Sequence, residues 1–157
     1  TRAQLYKGFA DWEKIGEVKN NPRIHIPIFG NGDMDTPEKV VEMKNKYGVD
    51  GVMIGRASIG YPWIFNEIKH FMKTGTHLAP PTLEDRVNIC RTHLTKSVEW
   101  KGEHVGIVEM RRHYANYFKG LPNFKEVRSK LVTTDSLKEI NDLLDEVRLR
   151  YADVLIG

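Results

Sequence analysis

Two glycine-containing turns hold the residues of this sequence best suited to chemistry: Gly30-Asn31-Gly32-Asp33 and Gly55-Arg56. Glycines let backbone N–H groups approach an anion, and the start of a following helix adds positive potential. An arginine can pair with phosphate oxygens through two parallel N–H donors. The chemistry these turns suit is therefore phosphate binding, not acid–base work. The competing reading is that Gly30, Gly32 and Gly55 only make tight turns. A dinucleotide fingerprint is excluded, because Asp35 stands where its third glycine is required. His93, His104 and His113 lack metal-ligand spacing with a nearby carboxylate, so they read as surface or packing residues and no metal site is expected. The single cysteine, Cys90, excludes an internal disulfide and a cysteine-based zinc site, and its place on the apolar face of a helix makes it a packed core thiol.

The elements that must position the two turns are short apolar strands. Ile26, Ile28 and Phe29 form one run, and Val52, Met53 and Ile54 the other. Between them Thr36 and Pro37 are an N-cap and first helical residue, opening a helix to about Tyr47 that Gly48 stops. Strand, crossover helix and strand of this length form a parallel βαβ unit, so both turns fall at the carboxyl ends of the strands, the edge where such folds bind ligands. A helix over 11–19 with Trp12, Ile15 and Val18 inward precedes the unit. A helix whose apolar face is Ile64, Phe65, Ile68, Phe71 and Met72 follows it, and Gly75 to Pro81 is a linker. Two strands this apolar need neighbours on both edges. The predicted fold is therefore α/β plus all-α: residues 1–76 as the C-terminal part of a (β/α)8 TIM barrel, which takes about 250 residues in full, and 77–157 as a small helical bundle domain. The chain then looks incomplete at its N-terminus, and copies folding by themselves are expected to self-associate through exposed barrel edges.

Charge is uneven in the helical part. Lys+Arg total 24 against 21 Asp+Glu over the chain, but residues 86–130 hold ten Lys/Arg and four Asp/Glu, and 131–157 hold three and six. Arg112, Asn116 and Lys119 share a helix face with Arg111 beside them; Lys125, Arg128 and Lys130 extend the positive character, with Tyr114, Tyr117 and Phe124 interleaved. RNA rewards cations for its phosphates and aromatics for its bases. The plainer alternative is a solvated basic face with the aromatics in the core. No apolar run approaches the roughly 20 residues of a membrane span, and no signal peptide is evident, although Thr1 is an unlikely natural start.

Six motifs together resemble the tRNA-dihydrouridine synthases from end to end: Thr1-Arg2-Ala3-Gln4-Leu5-Tyr6, Asp11-Trp12, Gly30-Asn31-Gly32-Asp33, Gly55-Arg56-Ala57 with Pro62-Trp63-Ile64-Phe65, Met110-Arg111-Arg112-His113, and Tyr117-Phe118-Lys119-Gly120-Leu121-Pro122. The resemblance covers about the C-terminal half of such an enzyme. It implies a cytoplasmic FMN-dependent oxidoreductase in which NADPH reduces the flavin, the flavin passes hydride to a uracil in tRNA, and a cysteine supplies the proton. Carried onto this sequence, Asn31, Gly32 and Asp33 match the first FMN-contacting turn, and Gly55 and Arg56 match the second, at the flavin phosphate. The same resemblance turns Arg111, Arg112, Lys119, Lys125 and Arg128 toward tRNA contact. The family's catalytic cysteine is expected in the half that these residues do not include, as is a histidine before Thr1, so the 157 residues alone are expected to be inactive. The rival readings are another flavin barrel acting on a small molecule and a non-catalytic RNA-binding module.

Overall fold

The computed structural model describes residues 7–154, so the motif at 1–6 lies outside the described residues, and the chain divides into two compact units, 1–78 and 79–157.

In the first unit, α1 (Trp12–Lys19) starts where the Asp11 carboxylate accepts from the Glu13 N–H, and α2 (Pro37–Tyr47) starts where Thr36 accepts from the Lys39 N–H. Gly48, at φ 64°, ends α2 in the left-handed region that glycine tolerates. Strands β1 (Phe29–Asn31) and β2 (Gly51–Met53) pair in parallel, with Phe29 opposite Gly51, Gly30 opposite Val52 and Asn31 opposite Met53. The ladder is shorter than the apolar runs predict. Pro27 has no N–H to give, and the Ile28 N–H goes to the Asp50 carboxylate at 2.7 Å while the Asp50 N–H bonds the Ile28 carbonyl at 2.9 Å. Ile26 is left 71% exposed. After β2 come a 3₁₀ turn (Arg56–Ser58) and α3 (Ile64–Thr74), closed by Gly75 at φ 71°.

Trp12, Val40, Val49, Ile64 and Ile68 make the core of this unit. Three predicted core residues are exposed instead: Val18, Phe65 and Met72. Phe65 is turned about 100° from Ile64 on the helix, and Met72 overhangs at the last turn of α3. On α1 the second buried position is Gly16, not Val18, because the Tyr47 ring lies where a Gly16 Cβ would stand, 2.7 Å away. Gly30 faces the core, whereas Phe29, Asn31 and Met53 are exposed on the strand pair.

The regular elements of the second unit, among its described residues, are all helices: α4 (Leu83–Lys101), α5 (Glu103–Tyr117), α6 (Lys125–Thr133) and α7 (Leu137–Arg150). Thr82 and Asp85 form a reciprocal capping box at the start of α4, and Ser136 caps α7. Helix α4 packs on α5 and α7, and α6 packs on the same two, around Cys90, Leu94, Met110, Tyr114, Leu131 and Leu144, all with no exposure. Arg91 ties α4 to α7 through Asn141 at 3.1 Å and Asp145 at 2.8 Å.

The closest approach is between α4 and α5. A Cβ on Gly106 would stand 2.7 Å from the Val98 Cα and N, both backbone atoms that cannot yield. Gly106→Ala is therefore expected to push the two helices apart and destabilise the protein by about 1–3 kcal/mol. Urea denaturation followed by circular dichroism checks this, and an unchanged midpoint would contradict the close packing.

Candidate functional site

The first glycine turn is held by tryptophan. An added Cβ on Gly30 would meet the Trp12 ring at 2.2 Å, and the Trp12 Nε1–H donates to the Gly32 carbonyl at 3.0 Å. Gly32 has φ +127°, and a Cβ there would meet the Ala10 Cβ at 2.3 Å. Packing and backbone conformation thus account for both glycines. Because Gly30 and Asn31 belong to β1, the turn proper is Gly32-Asp33. Asp33 itself has φ 56°, a left-handed conformation that aspartate tolerates better than most residues.

Asp33 joins the two turns. One carboxylate oxygen accepts the Ala10 N–H at 2.6 Å, and the other accepts from the Arg56 Nη2 at 2.6 Å. The aspartate is mostly buried and the arginine is half exposed, so the pair anchors a half-exposed guanidinium at the turn. Gly55 differs from the other two glycines. Its φ is −101°, and a Cβ added there would meet nothing within 4 Å. The residue leaves open space at the second turn. The Ser58 hydroxyl and N–H both bond the Gly55 carbonyl, at 2.8 and 3.0 Å, fixing the second turn. Asn31, Gly32, Asp33, Gly55 and Arg56 therefore meet at the carboxyl ends of the two strands.

In the second unit the predicted cations differ in their commitments. Arg111 is half-buried and donates to Asp135 at 2.6 Å and to the Thr134 carbonyl. The Arg112 Nε donates to the His113 Nε2 at 3.2 Å. Lys119, Lys125 and Arg128 stand exposed and form no ion pair among the described residues, whereas Lys130 pairs with Glu126 at 3.2 Å. The interleaved aromatics are a correction: Tyr114, Tyr117 and Phe124 are buried, so they pack the helices and offer no face to a base. Helical periodicity put them on the inner stripe, and burial of aromatic area outweighs what an exposed ring gains from stacking. A cleft of about 470 Å³ on α6 and α7 is lined by Glu139, Asp142 and Glu146 with Lys130. Its acidic wall is the wrong sign for a phosphate backbone.

Two features escaped the sequence reading. Arg86 is buried, with its Nε donating to the Pro81 carbonyl at 3.3 Å and an Nη to the Lys119 carbonyl at 3.2 Å. A cation on the Leu83–Cys90 stripe was the available signal, and it marks the fastening of the loop that carries Lys119. The second is a histidine pair. The His93 and His113 rings meet edge to face at 4.7 Å, and the His93 Nδ1 lies 3.1 Å from the Tyr117 hydroxyl. The His113 Nδ1 is buried without a hydrogen-bond partner. Twenty residues of sequence separate the two rings, so no local pattern announces their contact.

A family model for dihydrouridine synthases matches residues 1–152. The chain belongs to the dihydrouridine synthase family. Among relatives it is 41% identical over 130 residues to tRNA-dihydrouridine synthase B of Pseudomonas putida, covering 83% of this chain and 38% of that protein. It is 38% identical over 146 residues to the probable tRNA-dihydrouridine synthase 1 of a Synechocystis species, covering 93% and 40%. A probable tRNA-dihydrouridine synthase of Mycobacterium leprae matches the whole chain at 36% identity and 41% of its own length. The chain thus spans about two fifths of the length of the curated relatives it matches. Family membership implies a TIM-barrel-type fold for the enzyme to which βαβ units of this kind belong. Among the described residues no helix is long and apolar enough to cross a membrane, and no cluster of three metal-ligating side chains occurs.

Burial is the leading influence on the cysteine and the paired histidines of the second unit. Burial pushes the Cys90 thiol well up, so it stays protonated and inert. Burial, then His93 and Arg112, hold His113 down at about 4; burial, then Arg112 and Lys101, also lower His93. An unfolded chain protonates histidine near pH ~6.5, so these depressed values leave stability intact above that pH and erode it as pH falls toward 4. The denaturation midpoint is expected to fall between pH ~6.5 and ~4, with His113→Gln removing much of the fall. An equal fall in the variant would contradict the assignment.

Proposed function

We propose that this chain forms the flavin-phosphate end and a tRNA-contacting unit of an enzyme that reduces uridine to 5,6-dihydrouridine in tRNA, using FMN and NADPH. The open space at Gly55 beside the Asp33-anchored Arg56 is the observation that carries the first half of this reading. A phosphate fits there. Arg56 offers donors for its oxygens and Gly55 offers room, while Asn31 and Gly32 line the neighbouring turn. Asp33, being an anion, would not bind phosphate itself; it aims Arg56. When bound, FMN supplies hydride for the uracil ring, with NADPH as the source of electrons.

Phe29 and Met53, exposed on the strand pair, belong in this reading to the wall of the completed barrel. The helical unit is the appended domain that holds tRNA, with Arg112, Lys119, Lys125 and Arg128 toward phosphates and Arg111 bracing the α6–α7 corner through Asp135. Cys90 is not the acid that protonates the ring, since it is fully buried in the helical unit, out of reach of a substrate, and burial makes its thiol a weaker acid. That acid belongs to the remainder of the parent enzyme.

The purified full-length protein is expected to be yellow and to bleach with NADPH; a colourless protein that cannot be reconstituted with FMN would overturn the flavin reading. Arg56→Ala is expected to weaken FMN retention by about 1.5–3 kcal/mol, the worth of a charge-assisted hydrogen bond. Flavin content after dialysis checks this, and full retention would remove Arg56 from the phosphate. For tRNA, Lys119→Ala, Lys125→Ala and Arg128→Ala are each expected to reduce the slope of log affinity against log salt by about 1. Unchanged slopes in all three would place the RNA elsewhere.

A further inference from the structure

Arg112 and His113 are adjacent on α5, yet their side chains are not independent. The Arg112 Nε–H donates to the His113 Nε2, which is therefore an acceptor, and the ring proton must sit on Nδ1, the nitrogen that is buried without a partner. Against this ring stands His93, itself fixed by the Tyr117 hydroxyl. The charged groups acting on the pair all belong to α4 and α5: Lys101 on α4, and Arg112 and Glu109 on α5, with Lys101 and Glu109 bonded to each other. Arg112 is exposed, so its remaining guanidinium N–H groups are open to a ligand.

The arrangement has two exclusive states. While Arg112 donates to the His113 Nε2, that nitrogen cannot carry a proton. If Arg112 is drawn away, the Nε2 lone pair is free, and a proton from solvent can occupy it. An anion that engages Arg112 provides the pull, and it then favours the proton as well, because a protonated imidazole is a second donor of the right charge.

We propose that Arg112 and His113 form a proton-coupled phosphate site, in which an RNA phosphodiester draws Arg112 off the His113 Nε2 and that nitrogen takes up one proton from solvent. Two cations then face one phosphate group, and the RNA gains a contact that exists only with the added proton. This inference rests on the tRNA reading above. It assigns His113, which by sequence reads as a surface or packing residue, a direct part in binding. His93 is a positioning residue that holds the ring edge-on.

The test is calorimetric titration of tRNA into the full-length protein in buffers of differing ionisation enthalpy, from pH 5 to 8. Binding is expected to take up protons, approaching roughly one per complex between the free and bound titration points and vanishing toward pH 8. Affinity is expected to strengthen by up to about tenfold per pH unit across that window. His113→Gln, which keeps an acceptor and a donor but cannot be charged, is expected to bind at pH 8 and to lose this uptake. Should the variant fold poorly, the His113 Cε1–H resonance of the wild-type protein gives the same answer, moving to its protonated position on adding tRNA at pH 6. Binding of tRNA with no uptake, or with uptake unchanged in the variant, or with a His113 resonance that stays neutral, overturns this inference and leaves the tRNA reading intact. No binding at any pH overturns both.

Discussion

The indole of Trp12 occupies the space that any side chain at position 30 would need, and the site of the first unit depends on that contact. The ring rests against the bare backbone of Gly30, and its N–H fastens the Gly32 carbonyl at 3.0 Å. With β1 and its turn held this way, Asp33 stands in its left-handed conformation with one carboxylate oxygen on the Ala10 N–H and the other on Arg56. The tryptophan comes first in this chain of effects. It acts by fixing the backbone that presents the aspartate, and the aspartate fixes the cation.

The second unit repeats the logic with a different glycine. Gly106 lets α5 lie directly on the backbone of α4 at Val98. This close approach places the side chains of both helices within reach along the shared seam, including the ring contact of His93 with His113 and the bond of Lys101 with Glu109. Burial at that seam favours the neutral form of both imidazoles, and Arg112 and Lys101 are permanent cations that add to the effect. The buried Arg86 contributes in another way: its two carbonyl partners lie at Pro81 and Lys119, so one guanidinium secures both the entry to α4 and the loop after α5. A buried cation with satisfied donors is costly to disturb, which suits a fastening.

In the proposed reading these two arrangements serve one enzyme, since a tRNA-modifying flavoenzyme needs an anchored cofactor phosphate and a surface for a polyanion. On that reading the requirements fall to different units: glycine turns with an anchored arginine in one, exposed Lys119, Lys125 and Arg128 in the other. Each unit has its own buried core.

Local signals determined what was legible in the sequence. Thr36-Pro37 and Gly48 bound α2, Thr82 with Asp85 opens α4, and Gly75 closes α3, because caps act within one turn of the chain. The two glycine turns and the basic helical stretch were visible for the same reason. Pairing and burial were decided only by tertiary structure. Helical spacing admitted Val18, Phe65 and Met72 to the core, but a face is buried only where another element covers it, and these three are uncovered. Whether Tyr114, Tyr117 and Phe124 meet RNA or the core is likewise a matter of what packs on them. The sequence showed Asp33 and Arg56 as neighbours of two separate turns; their ion pair forms across 23 residues, and the His93–His113 contact across 20. Contacts of that kind leave no local periodicity, because the chain between them is free to vary while the fold alone sets the distance.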